Sequence, residues 1–490
     1  MLVFRRQNHQ GKATVLGGLG ATDGLITELY TYAVEQLGSD AAPTRFGGLC
    51  TLERLAQDNP PKRQTIVNVI CAYLRMPFPP TAPASKAAPA VAEGQNEPLT
   101  ESETGTGSTW QQERQVRLTA QRILAEHLRD DRAKDQQSTD PSSSRFWRNI
   151  RLDLSGATLI DFNLINGAMA DANFHEAAFS GDASFCGTDF RGAARFGGAT
   201  FTGDASFAGA TFRRAARFGG TTFDGAARFD GAIFRDAASF SEAAFRGNAQ
   251  FGRAAFSRDA GFRRAMFGGV VVFRGAAFGG DARFRKAAFS GDAEFGEVTF
   301  GGNATFNEAT FSLALFGGAT FGGDAGFGKA TFSGEAWFNE AAFSCGALFG
   351  EATFGGEAWF DKAAFSRGAS FDRAAFSGGV WFGEAGFSGD ALFGEATFGG
   401  DAWFDKVTFS RAASFDEAAF TGDAGFDRVT FSGAAWFGEA TFRGGADALR
   451  FKQARILSPG ASHVWPTGWR LAGADGGGYT VVRANDDGGS

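Results

Sequence analysis

Residues 331–360 read TFSGEAWFNEAAFSCGALFGEATFGGEAWF, and they show the repeat on which the fold is built. Its phenylalanines are spaced alternately six and five residues apart. The same alternation runs without a gap from Phe174 to Phe442 and holds 50 phenylalanines, with one short interval between Phe311 and Phe316. Alanine stands two residues before the phenylalanine in 43 of the 50 units. Self-similarity on this scale indicates a repeat architecture.

A spacing near five fits neither an α-helix, whose apolar residues recur every 3.6 positions, nor a flat strand, whose side chains alternate every two. Phenylalanine and the alanine two residues earlier point the same way when the backbone between them is extended. The other residues of each unit are rich in Gly, Ser, Asp, Arg and Asn, which favour turns. The pattern therefore predicts a solenoid of short extended faces and corners. Leu154, Leu159, Leu164 and Met169 extend the lattice upstream, and residues 142–458 contain no proline.

Outward residues indicate how many faces make one coil. Tryptophans precede lattice phenylalanines at intervals of 22 residues, the sum of two five-residue and two six-residue units, which predicts four faces per coil. These tryptophans are Trp337, Trp359, Trp381 and Trp403. A second series of the same period largely alternates in charge, and we expect its members to pair between neighbouring coils. It consists of Glu340, Lys362, Glu384, Lys406 and Arg428.

These residues resemble the bacterial pentapeptide-repeat family, whose units carry a central Leu or Phe and a small residue two positions earlier. Ala-Thr-Leu at 157–159 and Ala-Asn-Phe at 172–174 look like the standard unit, and Ala-Thr-Phe at 199–201 looks like its Phe variant. The resemblance implies a mainly β fold, a right-handed quadrilateral β-helix with a Phe/Ala core. We expect about 13.5 coils over roughly 65 Å. The extra residue of alternate units should bulge two of the four corners.

The flanks predict a different kind of structure. Helical patterns over Ile26–Leu37, Thr44–Ala56 and Gln64–Leu74 predict a small α-helical domain. Their sequence resembles the helical module that precedes the repeats in many bacterial relatives. The expected division is a flexible N-terminus at 1–20, a helical module at 21–78, a disordered linker at 79–108, an amphipathic helix at 109–130, a linker at 131–145, the β-helix at 146–458 and a tail at 459–490 with a possible hairpin.

The sequence contains no recognisable catalytic motif. Its four histidines lie in separate segments, and the glycine-rich stretch at 17–24 resembles a dinucleotide loop only loosely. Cys50, Cys71, Cys186 and Cys345 are unevenly spaced, which predicts neither a disulfide framework nor a zinc site and fits a reducing cytosol. A Phe/Ala interior offers no polar cavity for a substrate. We therefore expect no enzymatic activity, no cofactor and no metal.

The charge and hydropathy of the sequence predict its cellular location and the classes of partner it can bind. The formal net charge is −7 over 490 residues, which argues against general nucleic-acid binding. No apolar run is long enough to predict a transmembrane helix, and the polar start at 1–10 predicts no signal peptide. Relatives with this helical module often carry membrane-spanning helices further upstream. We expect a cytoplasmic protein that contacts no nucleic acid directly and reaches a membrane only indirectly.

The outer surface supplies the candidate binding site for a protein partner, whose identity the sequence leaves unknown. Exposed tryptophans are enriched in binding hot spots, so the period-22 tryptophans predict a docking face. The alternative is an aromatic ladder that only stabilises its own sheet. The candidate residues are Trp337, Trp359, Trp381 and Trp403, together with the acids Glu335, Glu357, Asp401 and Asp423 that recur along one edge of the same face.

Charge along the rod suggests two functions. Residues 151–300 hold 17 Lys/Arg and 16 Asp/Glu, whereas residues 301–450 hold 9 and 19. An acidic rod resembles those pentapeptide-repeat proteins that mimic DNA, so a DNA-mimic regulator of type II topoisomerase is the alternative. Basic residues such as Lys362 and Lys406 interrupt the acidic half. The sequence therefore favours a non-enzymatic interaction or scaffold protein.

Overall fold

The computed structural model describes residues 24–79, 101–130, 145–443, 448–474 and 478–484. The predicted flexible N-terminus at 1–20 lies outside the described residues. So do most of the predicted linkers at 79–108 and 131–145.

The described residues before the repeats form four α-helices. The first occupies 24–37 (α1), and the others are Ala42–Asp58 (α2), Arg63–Leu74 (α3) and Glu101–Leu128 (α4), with a 3₁₀ turn at Pro60–Lys62. The three predicted helical patterns are thus confirmed.

Helix α4 begins eight residues before the predicted start at 109, inside the predicted linker at 79–108. The Pro, Ala, Ser, Thr and Glu content of that stretch suggested a linker, but its last eight residues belong to the helix. Its later turns bury Val116, Ile123, Leu124 and Leu128, which anchor it beside α2 and α3.

The described residues between 151 and 456 form a β-solenoid with four faces per coil, which we number in chain order. Face 1 is a parallel sheet of 14 strands. Its strands are Arg151–Asp153, Asp171–Asn173, Ala194–Arg195, Ala216–Arg217, Ala238–Ser239, Ala260–Gly261, Ala282–Arg283, Ala304–Thr305, Ala325–Gly326, Ala347–Leu348, Ala369–Ser370, Ala391–Leu392, Ala413–Ser414 and Ala435–Trp436. Face 4, which leads into face 1 of the next coil, is also a parallel sheet in the solenoid. It consists of Ala168–Met169, Asp189–Phe190, Thr211–Phe212, Ile233–Phe234, Ala255–Phe256, Ala277–Phe278, Thr299–Phe300, Thr320–Phe321, Ala342–Phe343, Ala364–Phe365, Gly386–Phe387, Thr408–Phe409, Thr430–Phe431 and Arg455–Ile456.

Faces 2 and 3 share two long strands, Ala288–Glu294 and Thr310–Leu315, and so form one sheet of 25 strands. The other strands of face 2 are Thr158–Ile160, Ala178–Ser180, Thr200–Phe201, Thr222–Phe223, Ala244–Phe245, Met266–Phe267, Thr331–Phe332, Thr353–Phe354, Ala375–Phe376, Thr397–Phe398, Ala419–Phe420 and Thr441–Phe442. Those of face 3 are Ala183–Ser184, Ala205–Ser206, Ala227–Arg228, Ala249–Gln250, Val271–Val272, Ala336–Trp337, Ala358–Trp359, Val380–Trp381, Ala402–Trp403, Ala424–Gly425 and Leu449–Arg450.

The interior consists of phenylalanine and alanine, as predicted. Phenylalanines of one face stack along the axis, as Phe207 and Phe229 do at 4.8 Å with planes 2° apart. Rings from opposite faces meet edge to face, as Phe196 and Phe207 do at 5.3 Å and 87°. Both arrangements are favourable for aromatic quadrupoles. Sequence reasoning missed Phe162, which fills an alanine position of the lattice and contacts Phe174.

The corners are of two kinds, which confirms the expected bulge at two of four. Faces 1 and 3 end in a tight corner, whose second residue after the phenylalanine has a left-handed backbone. Glu340, Lys362, Glu384 and Lys406 occupy this position with φ between 56° and 61°, although such angles are uncommon for non-glycine residues. Faces 2 and 4 end in a wide corner that holds the extra residue. The predicted charge series therefore lines one tight corner.

The short interval from Phe311 to Phe316 removes one residue from a wide corner. The strand Thr310–Leu315 runs straight through that corner, and the register against the preceding coil shifts between Phe289 and Asp292. Phe316 remains buried and stacks at 4.7 Å on Phe295. The inward positions stay in register and the solenoid continues as one rod, as the tryptophan period predicts.

Both ends of the solenoid are capped. The Gln64 side-chain amide pairs with the backbone N–H and C=O of Arg151, and Gln121 pairs in the same way with Ile160. These amides occupy the strand edges of the first coil, which would otherwise be open to pairing. At the other end, the predicted hairpin is present as the antiparallel strands Trp469–Ala474 and Gly478–Arg483, and it continues face 4.

Candidate protein-docking surface

The four predicted tryptophans stand on the outer side of face 3 in successive coils. Strand pairing places Trp337 beside Trp359, Trp359 beside Trp381, and Trp381 beside Trp403. The first two rings lie 4.9 Å apart and are tilted by 55°, whereas Trp359 and Trp381 stack at 5.2 Å and 13°. The structure thus brings all four into one row, which we call the tryptophan stripe.

Ring contacts join Trp337, Trp359 and Trp381 and leave part of the tryptophan surface open. Trp337 exposes 41% of its surface, and the other three tryptophans are half-buried. Two glycines make room for the rings. An added Cβ at Gly379 would lie 2.5 Å from the Trp381 ring, and one at Gly425 would lie 2.5 Å from the Trp403 ring. The contacts are those of the predicted ladder, while the outer ring surfaces remain accessible.

An arginine closes the end of the stripe. Arg450 occupies the outward position two coils beyond Trp403, with Gly425 between them. Its guanidinium lies 4.6 Å from the centre of the Trp403 ring, a cation–π contact. Sequence reasoning missed this residue because the lattice was followed only to Phe442. The signal was present, since Arg450 directly precedes the buried Phe451 as each tryptophan precedes its phenylalanine.

Along one side of the stripe runs the wide corner between faces 2 and 3. Five successive passes of this corner, 333–337 to 421–425, contain no Lys or Arg. Their four acids, which we call the acidic rim, are Glu335, Glu357, Asp401 and Asp423. The structure places these predicted residues in one column beside the tryptophans, with Gly379 standing in the middle coil.

The acidic rim is partly engaged in local contacts. Glu335 accepts a hydrogen bond from the Trp337 indole N–H at 3.0 Å, and the Asp401 carboxylate accepts one from the backbone N–H of Asp423 at 3.0 Å. Among the residues that the structure describes, no Lys or Arg forms an ion pair with the four acids. The rim therefore presents uncompensated negative charge beside aromatic surface.

The tight corner on the other side of the stripe carries mixed charge. Lys406 lies 2.6 Å from Glu384, which confirms one pair of the predicted alternating series. The hydrogen bond from Lys406 lowers the pKa of Glu384. Burial raises the pKa of Asp361, nearby Glu384 adds to this rise, and a hydrogen bond from the Gly383 backbone opposes it. This side therefore carries both signs of charge, unlike the acidic rim.

Comparison with known protein families finds the pentapeptide repeats family in nine overlapping copies that together span residues 168–441, more than half of the chain. The copies lie at 168–211, 185–233, 218–266, 229–277, 262–310, 306–353, 349–397, 382–430 and 393–441. The chain is a pentapeptide-repeat protein. No curated protein and no solved structure gives a significant match to it.

In this pentapeptide-repeat protein the histidines and cysteines have structural surroundings. His127 is buried between the Arg145 carbonyl at 2.7 Å and the Glu53 carboxylate at 2.9 Å, where it joins α2 and α4 to the first coil. All four cysteines are free, and burial raises the pKa of the Cys71 thiol to about 12. Across the described ranges, no group of His, Cys, Asp and Glu is arranged to hold a metal ion.

The opposite side of the pentapeptide-repeat rod carries a shallow groove of about 790 Å³ on face 1. Leu348 and Leu392 form its apolar floor, and Arg367, Asp390 and Arg411 stand at its edge. The lining also includes Ser370, whose hydroxyl donates a hydrogen bond to the Asp372 carboxylate at 2.8 Å. Of the helices in the described part of the chain, none combines the length and hydropathy needed to span a bilayer.

Proposed function

We propose that this pentapeptide-repeat protein is a non-enzymatic scaffold that binds a protein partner through the tryptophan stripe and the acidic rim. The main support for this proposal is that aromatic and acidic side chains lie together along one edge of the rod. Four tryptophans and four acids without cationic partners share five consecutive coils. Tryptophan supplies large rigid contact area, and rim charges steer association and select partners.

The stripe exceeds what a stabilising ladder requires. Cross-strand aromatic pairs stabilise a sheet by roughly 0.2–1 kcal/mol each. The rod already has a continuous phenylalanine core, and face 1 holds Leu348, Ser370, Leu392 and Ser414 at its equivalent positions without any aromatic ladder. An aromatic row on face 3 alone therefore favours recognition over stability.

A DNA mimic would need a continuous anionic surface. In the acidic half, Glu384 pairs with Lys406 and Glu395 pairs with Arg373. Several aspartates serve as backbone acceptors, as Asp401 does. These contacts interrupt the negative charge along the surface of the rod. Topoisomerase regulation is therefore the less favoured function. We place the scaffold in the cytoplasm, which the four free thiols support.

Affinity capture with matched variants tests the proposal. The bait is the full chain, compared with Trp359→Ser/Trp381→Ser and with Leu348→Ser/Leu392→Ser, which removes apolar surface from the opposite face. The scaffold predicts a protein captured by wild type and by the leucine variant and lost from the tryptophan variant. Equal capture by all three baits would reject the stripe as a docking surface.

The topoisomerase alternative has its own assay. The scaffold predicts no effect of purified protein on gyrase supercoiling at micromolar concentration. Inhibition that weakens with salt and is lost in Glu357→Lys/Asp401→Lys/Asp423→Lys would instead establish the DNA mimic.

A further inference from the structure

The N-terminal half of the rod carries a surface of opposite charge to the acidic rim. This positive surface lies on the other wide corner, between faces 4 and 1. Three successive passes of this corner occupy 191–195, 213–217 and 235–239 and contain one acid, Asp236. They hold six arginines, which we call the arginine corner: Arg191, Arg195, Arg213, Arg214, Arg217 and Arg235.

Most of the arginine corner lacks a counter-charge. Arg191 and Arg213 share the carboxylate of Asp189, at 3.1 and 2.6 Å. The other four arginines are exposed and form no ion pair or hydrogen bond within the part of the chain that the structure describes. Strand register sets Arg217 directly beside Arg195. Like charges held in this register repel each other, and an anionic partner relieves the repulsion.

The arginine corner and the acidic rim match in shape and period. Both lie on wide corners, and both repeat once per coil of 22 residues. Successive coils are about 4.8 Å apart, the spacing of neighbouring strands. An extended peptide presents side chains on one side only every ~6.7 Å, so its charges fall out of step with the stripe. A second solenoid of the same period stays in step along its whole length.

The contact chemistry already occurs within one chain. Arg450 lies over the Trp403 ring at 4.6 Å, beside the acidic rim at Asp423. The capped ends direct association to the sides of the rod. Gln64 and Gln121 occupy the first strand edges, and the C-terminal hairpin covers the edge of face 4.

We propose that the partner of the tryptophan stripe and acidic rim is the arginine corner of a second copy of this chain. The inference rests on the proposed function, because it names the partner of that same surface. The two surfaces belong to different wide corners and different halves of the rod, so each copy binds one neighbour with each. Such a heterologous contact produces side-to-side assemblies, open or ring-shaped, that grow with concentration.

Sedimentation velocity of the full chain tests self-association. At about 50 mM salt the sedimentation coefficient should rise with protein concentration, and at about 500 mM salt it should fall to the monomer value because screening removes the charge contact. Arg195→Glu/Arg217→Glu and Trp359→Ser/Trp381→Ser should each weaken self-association at least about tenfold. Arg253→Glu/Arg263→Glu changes the charge equally on exposed arginines outside the corner, and it should associate like wild type.

Mixing the two defective variants is the decisive step. The arginine variant keeps its stripe and the tryptophan variant keeps its arginine corner, so the mixture should form a one-to-one dimer that neither forms alone. A wild-type chain that stays monomeric at low salt overturns the inference, and so does a mixture that fails to associate. Far-UV circular dichroism confirms that each variant retains the solenoid.

The outcomes also separate this inference from the proposed function. A monomeric chain whose stripe still captures another protein refutes only the second copy. Capture that is indifferent to the tryptophan substitutions refutes the docking surface itself.

Discussion

Phe338 and Phe360 stack in successive coils with ring centres 4.9 Å apart and planes 2° apart. Phe360 continues the stack to Phe382 at 4.8 Å and meets Phe349 and Phe371 edge to face at 5.5 and 5.4 Å. Each ring thus contacts only its own coil and the adjacent ones. Energetic coupling in the solenoid is therefore short-ranged.

Phe360→Ala should destabilise its surroundings without unfolding the rod. Removing a fully buried ring costs about 3–5 kcal/mol. Hydrogen exchange should show lost protection in the coils around residues 338–382 and normal protection near residue 200. The control is Thr353→Ala, an exposed position in the same coil. Uniform loss of protection over all coils would contradict nearest-neighbour coupling.

Glycines of the wide corner between faces 2 and 3 should be intolerant of a side chain. A Cβ at Gly356 would lie 2.6 Å from the Gly334 carbonyl carbon of the preceding coil, a backbone atom that cannot move aside. Gly356→Ala should therefore lower the free energy of unfolding. Gly386, on face 4, has nothing within 4 Å of an added Cβ. Gly386→Ala should be neutral or stabilise by roughly 0.4–1 kcal/mol. Denaturant unfolding of both variants measures this contrast, and an equal loss in both would contradict it.

Asp361→Asn should become more stabilising as the pH rises. Burial raises the pKa of Asp361, so the folded chain binds the proton more tightly than the unfolded chain. Its contribution is then fully present at low pH and is lost as the pH rises through the raised pKa. The variant should match wild type near pH 3 and exceed it near pH 7.

Glu384→Gln supplies the control of opposite sign. Lys406 lowers the pKa of Glu384, so that contribution is present at neutral pH and is lost as the pH falls through the lowered value. Denaturant unfolding followed by tryptophan fluorescence, near pH 3 and near pH 7, measures the free energy of unfolding of both variants. A pH-independent difference for Asp361→Asn would refute the burial argument.

Gln121→Leu should expose the first strand edge of face 2. The Gln121 amide donates to the Ile160 carbonyl at 2.6 Å and accepts its N–H at 2.8 Å. Leucine leaves both buried backbone groups unpaired, at about 1–3 kcal/mol each. Gln115→Leu changes an exposed position of the same helix and should have little effect. Light scattering on heating should show earlier aggregation of the Gln121 variant only.

The solenoid could be predicted from the sequence because the regular spacing of the phenylalanines fits a chain that winds with one fixed number of faces per coil. The 22-residue period predicted four faces, and the strand register of Trp337, Trp359, Trp381 and Trp403 confirms it. Spacing could not reveal contacts that depend on chain geometry across long separations. Gln64 and Gln121 cap strands 87 and 39 residues away.

The positions of the candidate residues followed from the 22-residue period, but their contacts did not. The spacing placed the acids along one edge without indicating what they bind. The structure uses the Asp401 carboxylate to bind the next coil through the Asp423 N–H. The left-handed backbone that places Glu384 and Lys406 in contact was equally invisible in the residue pattern.

Site-specific photo-crosslinking in the protein's own cells tests the central claim, that the tryptophan stripe is an occupied docking surface. A benzophenone amino acid replaces Trp359 in one variant and Leu348, exposed on the opposite face, in the other. We expect a covalent protein adduct from position 359 and none from position 348, and the adduct should be lost when Glu357→Lys is added. Absence of an adduct at 359, or equal adducts from both positions, would contradict it.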